Sequence, residues 1–97
     1  MMRIRFEWDS RKAALNLRKH RLSFQEATAV FTDPLAVIFH DVNHSSYEQR
    51  EIIIGHSANN RLIIVSFTEL AEHTVRIISA RPATRKERQD YEKNRSL

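Results

Sequence analysis

The chain has 97 residues, too few to close two separate cores, and its 41% hydrophobic and 29% charged residues argue for one packed domain over 1–97 rather than disorder. Sixteen Lys and Arg stand against twelve Asp and Glu, a formal charge of +4 that favours nucleic acid or an acidic protein as partner. With no cysteine there is neither a disulfide framework nor a thiolate metal site. Neither a bilayer-length apolar run nor a signal-peptide core is present, so a soluble, cytoplasmic chain with no membrane partner is expected.

Ile4 to Trp8 alternates apolar and polar residues, as a short half-buried strand does. Asp9 is placed to cap a helix from Ser10 to His20, which sets Lys12, Asn16, Lys19 and His20 on one face and Ala13, Ala14 and Leu17 on the packed side. Ser23-Phe24-Gln25-Glu26 has capping-box spacing and opens a second helix that buries Phe24, Ala27, Val30 and Phe31. That helix ends before Asp33-Pro34, because proline disfavours helix in the residue preceding it. From Leu35 the period changes, and Leu35 to Asp41, Gln49 to Ser57, Arg61 to Leu70 and Thr74 to Arg81 read as four strands of an antiparallel meander. Ala58 to Arg61 is a hairpin turn and Gly55 a candidate bulge. Thr84 to Glu87 repeats the capping-box spacing and opens a last helix to about Asn94. The order β-α-α-β-β-β-β-α describes an α+β domain with an antiparallel sheet packed against helices.

The run Arg76-Ile77-Ile78-Ser79-Ala80-Arg81 places two permanent charges in an apolar strand, where a guanidinium fork is costly unless an anion meets it. The anion is either a carboxylate within the fold, with Glu48 paired to Arg76, or a phosphodiester from outside. Glu48 and Arg50 share a face, as do Arg61, Ile63 and Val65. Arg76 and Arg81 lie five apart and point to opposite faces of a regular strand, so their joint action requires a bulge or a strand end at Arg81. Ser79 is expected to pack. The Lys12, Asn16, Lys19 and His20 face can follow a nucleic-acid backbone or merely decorate an exposed helix. His20 adds an imidazole able to exchange a proton near neutrality. His40 and His44 flank Asp41 without fixed geometry, His56 and His73 read as ordinary strand ends, and no metal or other cofactor is expected.

Phe6-Glu7-Trp8-Asp9, Lys12, Asn16, Lys19-His20, Ser23 to Ala27 and Val30 to Pro34, followed by Glu48, Arg50, Ile54-Gly55, Arg61 and Arg76 to Arg81, resemble the BrnT family of bacterial type II toxins over nearly the whole chain. Arg21 departs from the pattern, since glycine usually follows Lys-His there. The resemblance implies a RelE-like ribonuclease fold, RNA cleavage that shuts down translation, and neutralisation by a cognate DNA-binding antitoxin. It also implies a hetero-oligomer with that antitoxin, with a toxin dimer compatible. Metal-free cleavage needs a base, an acid and cations for the pentavalent phosphate. The catalytic set expected is His20, Glu48, Arg50, Arg76 and Arg81, with Glu48 or His20 as base and the other, or an arginine, as acid. Lys12, Asn16, Lys19 and Arg61 are the expected RNA-binding residues. The competing readings are a nucleic-acid-binding module without catalysis and a protein-interaction module.

Overall fold

In the computed structural model, which describes residues 3–40 and 49–95, the change from strand to helix occurs at Asp9. The Asp9 carboxylate accepts the Lys12 N–H at 2.9 Å, satisfying one of the free donors of helix α1 (Ser10–His20). Arg21 ends this helix in the left-handed region (φ 53°, ψ 41°) and donates its N–H to Leu17 O at 2.8 Å. This is the conformation that glycine adopts freely and that costs a side-chain-bearing residue about 1 kcal/mol. The turn therefore keeps a glycine-type geometry with arginine in place.

Helix α2 (Phe24–Ala27) begins as its capping box predicts, with Ser23 Oγ accepting the Glu26 N–H at 2.9 Å. The reciprocal half is missing, because the Glu26 carboxylate instead accepts from Ser57 Oγ at 2.7 Å and from Arg61. The expected single helix also tightens into a 3₁₀ segment, Thr28–Thr32. It stops at Asp33, whose Oδ1 accepts the Leu35 N–H at 2.9 Å across Pro34.

The strands β1 (Arg5–Glu7), β2 (Val37–His40), β3 (Glu51–His56), β4 (Leu62–Ala71) and β5 (Thr74–Pro82) form one sheet in the order β1-β5-β4-β3-β2. The last four make the antiparallel meander read from the sequence. The first strand corrects it, since β1 lies parallel to β5 with Phe6 beside Val75 and Glu7 beside Arg76. Alternation fixes which face a strand buries and leaves its direction open.

One sheet face carries Ile53, Ile63, Val65, Phe67, Val75, Ile77 and Ala80 and packs against Leu22, Phe24, Ala27 and Val30. Phe31 meets Phe6 and Phe67 edge to face at 5.2 and 5.0 Å, an arrangement aromatic quadrupoles favour. The other face holds Ile54, Leu62 and Ile64, covered by Tyr91 of helix α3 (Arg85–Arg95). A full capping box opens α3: Thr84 Oγ1 accepts the Glu87 N–H at 3.1 Å, and Glu87 accepts the Thr84 N–H at 2.8 Å. Asn60, at φ 61°, closes the hairpin between β3 and β4.

Gly55 makes no bulge and pairs regularly with Ile63. It is there for space: a Cβ would lie 3.0 Å from Ala36 Cβ, Asp33 Oδ2 and Val30 Cγ1. The bulge lies in β5 instead. Ser66 pairs with Ser79 and Phe67 with Ile77, leaving Ile78 as an extra residue.

Candidate nucleic-acid interface

Side chains on β4 alternate, so Ile64, Ser66 and Thr68 share one face. Their partners on β5 are Arg81, Ser79 and Arg76 in turn. The extra residue at Ile78 shifts the phase of β5, and Arg76, Ser79 and Arg81 emerge on the same face of the sheet. Without it, Ser79 and Arg81 would follow Val75 and Ile77 into the core. The condition for two arginines five residues apart to act together is thus met. Ser79, expected to pack, is exposed for the same reason. Arg50 lies just before β3, and Thr68 Oγ1 donates to Gln49 O at 2.7 Å, holding the approach to that strand.

Both β5 arginines meet carboxylates of their own chain. Arg76 donates to Glu7 Oε2 through Nε at 3.1 Å and Nη2 at 2.8 Å, so its partner is Glu7 on the adjacent strand. Glu48, offered by the sequence in that role, lies outside the described residues, as do Asp41 and His44. Arg81 grips both oxygens of Glu87 at 2.8 Å, a fork-to-fork pair. The Arg81 hydrogen bonds hold the Glu87 carboxyl at about 2, overcoming the opposing effect of burial. The guanidinium is in turn raised above its ordinary value by Glu87.

Past Glu7, β1 gives β5 no further partner, and α1 crosses there. Asn16 takes the place of a strand: its Oδ1 accepts the Ala80 N–H at 3.1 Å, and its Nδ2 donates to Ala80 O at 2.7 Å and Leu22 O at 3.0 Å. The side chain is only 8% exposed. Its amide is fully engaged within the fold, where the sequence offered Asn16 as an RNA donor. Around it Lys12, Lys19 and His20 line a shallow groove of about 220 Å³ with Leu15, Ile78 and Ser79. Lys12 and Lys19 are exposed and His20 is half-buried.

Arg61, expected at the RNA surface, is tied into the fold. Its Nε and Nη2 bind Glu26 at 3.1 and 3.0 Å, and Nη2 also donates to Arg21 O at 3.0 Å. This ties the β3–β4 hairpin to the turn between α1 and α2, on the face of β4 opposite Arg76 and Arg81. Glu26 is held below the ordinary carboxylate range, chiefly by Arg61.

His56, read as an ordinary strand end, holds Asp33: its backbone N–H and ring Nδ1 meet Asp33 Oδ2 at 2.8 and 3.0 Å. Burial pushes the Asp33 carboxyl up, and these bonds with that of Leu35 bring it below its usual range. The end of the helix at Asp33-Pro34 was legible in the sequence, whereas the reach of Asp33 to His56 depends on the sheet. Among the described residues no group of three or more His, Cys, Asp and Glu is arranged to hold a metal. No helix among them is long and apolar enough to cross a membrane.

An α+β fold gathers Arg76 and Arg81 on one sheet face and Lys12, Lys19 and His20 beside the edge that Asn16 closes. The model of the BrnT ribonuclease toxins of type II toxin-antitoxin systems matches residues 8–87, and the chain belongs to that family. The chain is similar to the ribonuclease toxin BrnT of Brucella abortus, known from a 1.1 Å crystal structure, with 27% identity and a TM-score of 0.64. That match covers 88% of this chain and 100% of the Brucella chain. No match is found among curated proteins.

Proposed function

We propose that this chain is a metal-independent endoribonuclease with a RelE-like arrangement of its fold. It acts in the cytoplasm, cleaves RNA, thereby halts translation, and is neutralised by a cognate DNA-binding antitoxin in a hetero-oligomer. The observation that carries the reading is the bulge at Ile78, which turns Arg76 and Arg81 to one face. A fold needing only an ion pair for each arginine has no use for a shared direction. A face that stabilises a phosphodiester does.

In this mechanism His20 or Glu48 removes the proton from a ribose 2′-hydroxyl. The 2′-oxygen attacks phosphorus, the bond from phosphorus to the 5′-oxygen breaks, and the other group or an arginine returns a proton to the leaving oxygen. Arg50, Arg76 and Arg81 stabilise the charge that gathers on the phosphate. Lys12 and Lys19 hold the flanking backbone. Glu7 and Glu87 occupy Arg76 and Arg81 in the free protein and yield them to the substrate.

The test is incubation with total RNA in excess EDTA, and in parallel with translating ribosomes, followed by analysis of fragment ends. Fragments with 2′,3′-cyclic phosphate and 5′-hydroxyl ends are expected. Intact RNA in both arms, or cleavage abolished by EDTA, contradicts the proposal.

A further inference from the structure

We infer that Ser66 and Ser79 form a paired hydroxyl seat for the scissile phosphate, between Arg76 and Arg81. The inference rests on the ribonuclease reading and deepens it. Ser66 and Ser79 are direct cross-strand partners on β4 and β5, which places their Cβ atoms about 4.5–5.5 Å apart. On the same face the next pairs are Thr68 with Arg76 on one side and Ile64 with Arg81 on the other. Each arginine is therefore one same-face step away, about 7 Å along the strand.

Hydrogen bonding separates these two serines from the other hydroxyls near them. Thr68 Oγ1 is engaged by Gln49 O and Ser57 Oγ by Glu26. Neither Ser66 nor Ser79 makes a side-chain hydrogen bond among the described residues. No buried side-chain oxygen or nitrogen there lacks a partner, so the Ser66 hydroxyl reaches the surface although its residue is half-buried.

Sheet propensity does not favour these residues. Serine packs poorly on a pleated surface compared with the β-branched residues that dominate β3 and β4. Ser79 is on this face only because Ile78 is inserted. A bulge that breaks the ladder to turn a serine outward, opposite a second serine and between two guanidinium groups, supplies donors for the non-bridging oxygens of one phosphodiester. Ser79 also borders the groove lined by Lys12, Lys19 and His20. It thus joins the arginine face to the candidate base on α1.

Threonine and valine have nearly the same shape and both suit a strand, so Ser→Thr and Ser→Val variants at each position differ essentially in the hydroxyl. Single-turnover cleavage of RNA in EDTA would be measured for S66T, S66V, S79T and S79V. Binding of the 2′-deoxy analogue and the denaturant midpoint would be followed in parallel. The Val variants are expected to cleave about 10- to 100-fold more slowly at unchanged or higher stability, since a hydrogen bond to a charged group is lost. The Thr variants should stay within a few-fold of wild type. Equal rates for the Val and Thr variants, beside an active wild type, would overturn the hydroxyl seat and leave the ribonuclease reading standing. A wild type that neither cleaves RNA nor binds the analogue would overturn both.

Discussion

Arg21 sits at φ 53° with a side chain that glycine would not have. Replacement by glycine removes that strain while preserving the carbonyl that accepts from Arg61. Arg21→Gly is therefore expected to raise stability by about 0.5–1 kcal/mol, read as a higher urea midpoint at unchanged slope. A lower midpoint would mean that the Arg21 side chain contributes more than its backbone costs. Gly55→Ala should act in the opposite sense, since the added methyl meets three atoms at 3.0 Å; a loss of about 1–3 kcal/mol is expected from overpacking. Glu87 gives the pH dependence. Its carboxyl is lowered to about 2 from 4.5, so its contribution is complete above about 4.5 and disappears as pH falls toward 2. Glu26 and Asp33 are lowered too and act in the same direction. The Arg81–Glu87 pair is partly exposed, and solvent screening limits its contribution to about 1 kcal/mol. Urea midpoints measured across this acid window should fall less steeply for Glu87→Gln than for wild type. Parallel curves would refute the linkage. The sequence showed that Arg76 and Arg81 need anions, but it did not show that Glu7 and Glu87 supply them. Glu7 depends on the parallel register of β1, and Glu87 was legible only as half of a capping box.

The elements depend on a few polar clamps. Asn16 fastens α1 to β5 where β1 ends, and truncating it leaves the Ala80 N–H, the Ala80 carbonyl and the Leu22 carbonyl without this partner. Asn16→Ala should cost about 2–4 kcal/mol in chemical denaturation. A cost below about 0.5 kcal/mol would mean that water replaces the amide readily. Much of this level was readable from the chain: the Asp9 cap, the bounds of α1, the Ser23 start, the four-strand meander and the last helix all follow from spacing and local chemistry. What was not readable depends on partners distant in sequence. Asn16 fits a polar helix stripe by spacing, and only the end of β1 opposite Arg76 turns it into a strand substitute. Arg61 alternates with Ile63 and Val65, and only the placement of Glu26 makes it a tie. Joint action of Arg76 and Arg81 asked for a bulge or a strand end at Arg81, and the choice of a bulge at Ile78 is a property of the ladder with β4.

Among the described residues, α1, α2 and the 3₁₀ segment cover one sheet face and α3 covers part of the other. The remaining surface carries Arg76, Ser79 and Arg81, and its edge with α1 carries Lys12, Lys19 and His20. Binding of an uncleavable RNA should weaken as salt rises, and Lys12→Ala or Lys19→Ala should each make the dependence of log affinity on log salt shallower by about one or less. A slope unchanged in both variants would remove those lysines from the path of the backbone. The central claim is that Arg76 and Arg81, set on one face by the bulge, act on the same phosphate. It is tested most directly by single-turnover RNA cleavage in EDTA for wild type, Arg76→Ala, Arg81→Ala and the double variant, with Glu87→Gln controlling for loss of the ion pair. Losses of at least about 100-fold are expected in each single variant, with a double variant less impaired than the product of the two and cleavage retained in Glu87→Gln. Folded Arg76→Ala and Arg81→Ala proteins that cleave as fast as wild type would contradict that claim.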